Sequence, residues 1–126
     1  MINVEDSSLL LNIDKYFLTR ILDNLISNAI KFSSFGKNIY FDSRELIDSV
    51  IISIRDEGPG MTADDLKNIY RKYHKLSAKS TAGESSSGLG LYIVKQLVDK
   101  IGATIEIDSV VNVGTTFTIK IPKIKD

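Results

Sequence analysis

Between Leu18 and Phe32 the apolar residues Leu18, Ile21, Leu22, Leu25, Ile26, Ala29 and Phe32 recur at three- and four-residue intervals. That is the period of an amphipathic helix. Asp14 suits its N-cap, and Ser33-Ser34-Phe35-Gly36 supplies the turn that ends it. Asn38 to Ser43 then reads as a strand, and Ser49 to Arg55 as a second one, with Val50, Ile52 and Ile54 on one side of the pleat. Asp56 continues that apolar side, so its carboxylate is expected to point toward the core, where it needs a partner. Glu57-Gly58-Pro59-Gly60 ends the strand in a tight turn. A short helix follows from Thr62, with Asp64 and Asp65 in its first turn and Leu66, Ile69 and Tyr70 on one side. Ser77 to Ser87 holds small and polar residues and predicts a mobile loop. Gly88-Leu89-Gly90 opens a further helix through Leu91, Val94, Leu97, Val98 and Ile101, closed by Gly102. Strands from about Thr104 to Ser109 and Thr115 to Ile121, joined around Asn112-Val113-Gly114, complete the chain.

The polar side of the first helix carries Arg20, Asn24, Ser27, Asn28 and Lys31. Asn24 and Asn28 lie one turn apart. Neutral oxygens beside a cation suit a hydrated magnesium ion together with anionic phosphate, because magnesium takes oxygen ligands and keeps several waters. The same stripe would equally serve as an ordinary solvated helix face. Gly88 and Gly90 add a second feature, since glycine backbone can approach a ligand closely and amides at a helix N-terminus face negative charge. No strand precedes this Gly-x-Gly, and no Gly-Lys-Ser/Thr occurs, so neither dinucleotide-fold nor P-loop chemistry fits.

Composition narrows the classes. The 126 residues suit one domain, and sixteen basic against sixteen acidic residues give no net charge. A basic footprint for nucleic acid is therefore missing, and no nucleic-acid partner is expected. Without cysteine there are no disulfides, thiol nucleophiles or thiolate metal sites. No apolar run approaches membrane-spanning length, so no direct membrane contact is expected.

Taken in order, these motifs closely resemble the catalytic, ATP-binding domain of sensor histidine kinases, within the superfamily that includes gyrase, heat-shock-90 and MutL ATPases. Asp23 to Phe32 resembles the N box, Asp56 to Gly60 the first glycine box, Tyr70 to Tyr73 the aromatic F box, Gly88 to Leu91 the second glycine box, and Gly114 to Phe117 the last. The resemblance implies a Bergerat-type fold: a two-layer α/β (α+β) sandwich whose mixed, mostly antiparallel sheet carries helices on one face, with an ATP lid over about 61–87. It also implies the site. Asn28 matches the magnesium ligand, Asn24 and Lys31 match phosphate contacts, and Asp56 matches the acceptor of the adenine amine. Gly58 and Gly60 match positions lining base and sugar, Thr115 lies near the adenine, and Ser87, Gly88, Leu89 and Gly90 border the triphosphate. Lys75 falls where a basic lid residue reaches the γ-phosphate, so Asn24, Lys31 and Lys75 are the candidate catalytic residues, with ATP and Mg2+ as cofactors.

Two departures from the family pattern matter. Tyr70 and Tyr73 stand where phenylalanines are usual, so each hydroxyl is expected to reach water or a partner. Ser86 stands where a further glycine is often found. Position 24 separates branches of the superfamily, since the gyrase-type ATPases resemble one another in carrying a glutamate there as general base. A neutral amide cannot take a proton from water or serine, whereas a neutral imidazole is already nucleophilic. The residues therefore point to γ-phosphoryl transfer to histidine, in a two-component pathway. His74, the only histidine, lacks the neighbours of an acceptor motif. The chain is thus expected to be a single catalytic domain, 1–126, whose partners are a dimerisation and histidine-phosphotransfer domain of the same parent and, through it, a response regulator. A cytoplasmic location is expected, whether or not the parent is membrane-anchored. Alternatives are a nucleotide-sensing module without transfer and a slow ATPase.

Overall fold

In the computed structural model the residues described are 15–33, 36–72 and 90–123. Their elements run α1 (Lys15–Phe32), β1 (Ile39–Glu45), β2 (Ser49–Asp56), α2 (Ala63–Lys67), α3 (Gly90–Lys100), β3 (Thr104–Val110) and β4 (Gly114–Pro122). The strands form one sheet in the order β1-β2-β4-β3, and each neighbouring pair is antiparallel. The sheet, expected to be mostly antiparallel, is antiparallel throughout the described strands. Its lengths exceed those read from the pattern by a residue or two, since alternation fades at strand ends while ladder pairing continues to Glu45 and Pro122.

The two-layer sandwich follows from the apolar faces. Leu18, Ile21, Leu22, Leu25 and Ala29 of α1 and Val94, Leu97 and Val98 of α3 are buried in one cluster with Val50, Ile52 and Ile54 of β2 and Phe117, Ile119 and Ile121 of β4. Burying that surface is what holds helices that would be marginal alone. The opposite face of the sheet is polar: Arg55 is exposed there, its guanidinium 4.0 Å from the ring centre of Tyr40 on β1.

Helix ends are set by their own residues. After α3, Gly102 adopts φ +73°, the Ala103 N–H donates to the Val98 carbonyl at 3.0 Å, and the Gly102 N–H donates to Asp99 at 3.1 Å. This is the Schellman pattern that a glycine closure predicts. Thr62 caps α2 by accepting from the Asp65 N–H, while the Asp65 carboxylate accepts from the Thr62 N–H. Sequence spacing placed Asp65 only in the first turn; the fold buries it. No described helix is long and apolar enough to cross a membrane.

Register fixes the end of the sheet that matters next. Asp56, the last residue of β2, faces Thr115 near the start of β4, and Thr115 in turn faces Ser109 of β3. Directly opposed residues share a sheet face. One row of polar side chains therefore crosses three strands on the helix-covered side.

Candidate functional site

At that end lies an open hollow of about 260 Å³, counting the solvent at its mouth, lined by Asn28, Phe32, Asp56, Pro59, Gly60, Met61 and Thr115. The last turns of α1, the end of β2, the loop after it and the start of β4 each supply part of the wall.

Asp56 is the buried acid that strand alternation placed on the core side, with 8% of its surface exposed. Burial pushes its carboxyl above the usual carboxylate value, and hydrogen bonds from the backbone of Gly58 and Thr115 pull it back only in part. The Gly58 N–H donates to Asp56 Oδ1 at 2.9 Å. Gly58 thus orients the carboxylate and is not among the lining residues.

Two glycines let backbone close around this acid. Gly60 has φ +75°, and a Cβ there would lie 2.3 Å from the Val110 carbonyl oxygen. Gly114 has φ +150°, and a Cβ there would lie 2.1 Å from the carbonyl oxygen of Asp56. Any larger residue would drive the β3–β4 hairpin off the end of β2. The hairpin is also bonded to the loop after β2: the Asn112 N–H donates to the Pro59 carbonyl at 2.8 Å, and the Met61 N–H donates to Ser109 Oγ at 2.8 Å. Ser109 Oγ lies 2.8 Å from Thr115 Oγ1 and 3.2 Å from the Gly114 carbonyl oxygen.

Of the residues singled out in the sequence, Asn28, Asp56, Gly60 and Thr115 meet in the hollow. Asn24 and Lys31 are half-buried on the same stripe of α1 as Asn28 but do not line it. Gly90 begins α3 and is exposed, away from the lining. Lys75, Ser87, Gly88 and Leu89, like Asp14, Tyr73, His74 and Ser86, lie outside the described residues. Phe32, Pro59, Met61 and Ser109 carried no chemical signal in the sequence. Their contribution depends on which element each is folded against; Phe32 and Pro59 sat inside recognisable motifs, Met61 at the edge of the lid, and Ser109 in none.

Tyr70 carries a hydroxyl expected to reach water or a partner. Its hydroxyl is buried and has no hydrogen-bond partner among the described residues. Desolvation, and then the negative charge of Asp99, push its pKa up to about 12. The ring is retained by packing, with the Lys95 ammonium 5.8 Å from its centre.

The described residues contain no cluster of three or more acidic or histidine side chains that could enclose a metal. Asn28 instead offers a neutral amide oxygen at the edge of the hollow. Such a donor set fits a hard cation that retains waters and takes most of its charge balance from a bound phosphate.

A family model described as "Histidine kinase-, DNA gyrase B-, and HSP90-like ATPase" matches residues 13–125. The chain belongs to this family. Within it, the sensor histidine kinase WalK of Bacillus subtilis strain 168 is 35% identical over 122 residues, which cover 95% of this chain and 20% of that protein. The sensor protein SrrB of Staphylococcus aureus is 34% identical over 106 residues, covering 84% of this chain and 18% of that protein. Among solved structures, the mycobacterial sensor histidine kinase MprB has a TM-score of 0.76 at 27% identity, over 86% of this chain and 74% of that one. Full-length ShkA in complex with AMPPNP has a TM-score of 0.73 at 27% identity, over 87% of this chain and 22% of that one. This histidine kinase-type ATPase domain therefore spans about a fifth of the length of the curated relatives it matches. The fold and the relatives fit the catalytic ATP-binding domain of a sensor histidine kinase.

Proposed function

We propose that this domain binds ATP with magnesium and donates the γ-phosphoryl group to a histidine on a dimerisation domain of its parent sensor kinase, which then serves a response regulator. The observation that carries the reading is the meeting of a fixed buried carboxylate, Asp56, with the α1 amide Asn28 across one hollow. In this reading the base enters the hollow, with sugar and phosphates extending outward past α1.

In this reading Asp56 accepts a hydrogen bond from the adenine amine, oriented by Gly58 and Thr115. Phe32 and Met61 supply apolar surface for the ring, and Gly60 leaves room beside it. Asn28 is the protein's ligand to Mg2+, which when bound would neutralise charge on the phosphates. Asn24, Lys31, Lys75 and the Ser87–Gly90 segment position and neutralise the triphosphate, and the lid spans about 61–87. The acceptor imidazole attacks with its own lone pair: the N–P bond forms as the bond to the departing ADP oxygen breaks. No base is needed at Asn24, and catalysis is by positioning and electrostatics. A cytoplasmic location, where ATP is available, belongs with this reading.

Calorimetric titration with Mg-ATP and Mg-GTP tests the base site, because the guanine carbonyl would face the Asp56 carboxylate. ATP is expected to bind and GTP poorly; equal affinities would overturn the assignment. Asp56→Asn is expected to weaken ATP roughly ten- to a hundredfold, the worth of one charge-assisted hydrogen bond. With γ-labelled ATP the domain is expected to label its parent's dimerisation domain supplied in trans, weakly because the acceptor is untethered. Tight ATP binding without labelling would favour a nucleotide-sensing module, and multiple turnovers by the chain alone a slow ATPase.

A further inference from the structure

Ser109 belongs to none of the matched motifs, yet it is hydrogen-bonded to two residues that line the hollow. Its Oγ accepts from the Met61 N–H at 2.8 Å, lies 3.2 Å from the Gly114 carbonyl oxygen, and lies 2.8 Å from Thr115 Oγ1. A serine hydroxyl has one proton and two lone pairs. The Gly114 carbonyl can only accept, and the Met61 N–H can only donate. All three contacts are satisfied together in one arrangement: Ser109 donates to Gly114, and Thr115 donates to Ser109. If Ser109 donated to Thr115 instead, its contact with Gly114 would hold no proton.

The consequence lies on the hollow side of Thr115. With its only hydroxyl proton directed at Ser109, Thr115 Oγ1 presents lone pairs alone toward the space it shares with Asp56. Thr115 is 4% exposed and Asp56 8%, so neither is readily re-solvated to compensate for a mismatched ligand. We infer that Ser109 is a positioning residue that fixes the Thr115 hydroxyl as an acceptor and thereby makes the base pocket select an exocyclic amine over a carbonyl. The inference rests on the proposed adenine site. An amino group offers two protons, and the pocket offers two sets of acceptors; a purine carbonyl offers only lone pairs against them.

ITP, whose base carries a carbonyl where adenine carries the amine, is the probe. Calorimetry with Mg-ATP and Mg-ITP on the wild type, Ser109→Ala, Thr115→Val and the double variant reads the effect. In Ser109→Ala the Thr115 proton is released to meet a carbonyl, so ITP is expected to tighten about three- to tenfold while ATP weakens, as for the exchange of one neutral hydrogen bond. Thr115→Val keeps the bonds of Ser109 to Met61 and Gly114 and is expected not to tighten ITP, and the gain is expected to vanish in the double variant. Ser109→Thr, which keeps the hydroxyl, is expected to restore the wild-type ratio. General damage to the pocket would weaken both nucleotides together; that result, an unchanged ATP-to-ITP ratio in Ser109→Ala, or ITP tightening that survives removal of the Thr115 hydroxyl would overturn the inference. A wild type that binds ATP and ITP equally would instead fail the adenine reading itself.

Discussion

Two buried polar groups are treated in opposite ways. At the strand ends, Asp56 is met by backbone donors, and its neighbours Thr115 and Ser109 are bonded to each other. Beside α3, the Tyr70 hydroxyl is buried with no partner among the described residues. A carboxylate left in that condition would be far more costly than a phenol. Among the described residues, the difference separates a wall whose polar groups are held in one arrangement from a packing surface where a ring is held by burial without a hydrogen bond. Hydrogen-bonded order is concentrated at the hollow.

The comparison breaks most severely at Gly114. Gly114→Ala would force an unfavourable φ and a Cβ against the Asp56 carbonyl, so a loss of about 2–5 kcal/mol is expected from strain and overpacking combined. Thermal melting would register it as a drop of about 8–20 °C, on the order of 4 °C per kcal/mol. An unchanged melting temperature would mean that the hairpin and β2 are not locked together.

Asn28→Ala examines the α1 side of the hollow without touching the strand-end wall. Magnesium-dependent tightening of ATP is expected to disappear, while ADP without metal binds almost as before. Retention of the magnesium effect would return Asn28 to an ordinary helix-surface amide.

Tyr70→Phe addresses this hydroxyl and is expected to stabilise the domain by about 1–3 kcal/mol, because the deleted oxygen makes no hydrogen bond among the described residues. Its pH signature has a definite sign. The folded phenol titrates at about 12 against an ordinary 10.0, so the unfolded chain loses its proton first and stability falls as pH climbs through that interval. The variant is expected to lack that part of the alkaline decline in chemical-denaturation curves. A destabilised variant would show that the hydroxyl has an important partner.

The smallest effect belongs to Asp56. Its folded pKa lies above its ordinary 3.8, so in the empty protein its contribution is most favourable at acid pH and declines as pH rises from there through the raised value. Wild-type and Asp56→Asn stability curves are therefore expected to differ in slope over that acidic window, the variant falling less. Parallel curves would mean that the carboxylate titrates alike in folded and unfolded chains.

Much of this organisation was legible because periodicity reports faces. The two-residue period of Val50, Ile52 and Ile54 carries Asp56 to the core side, and the helical spacing of Asn24 and Asn28 puts both on one stripe. Gly102 and Asn112-Val113-Gly114 marked a helix stop and a turn that the fold contains. Periodicity says nothing about partners across the chain. Met61 and Ser109 are 48 residues apart, and neither side chain announces that a backbone N–H of one meets the hydroxyl of the other. Asp65 looked like a dipole acid and is a buried capping partner, since one short turn does not define a face. Whether the Tyr70 hydroxyl is satisfied likewise depends on what packs above it, which the spacing of its own segment does not encode.

The hydrogen bond between Met61 and Ser109 also has a meaning in time. Turns of α1 and α3 close over neighbouring residues, whereas this wall of the hollow closes only when segments 48 residues apart in the chain have met. Closing such a long loop costs entropy before any contact returns it. During refolding, helical ellipticity is therefore expected to recover ahead of the ability to capture a nucleotide. A newly made chain would pass through an interval in which helical turns have begun to form while it is still blind to its ligand.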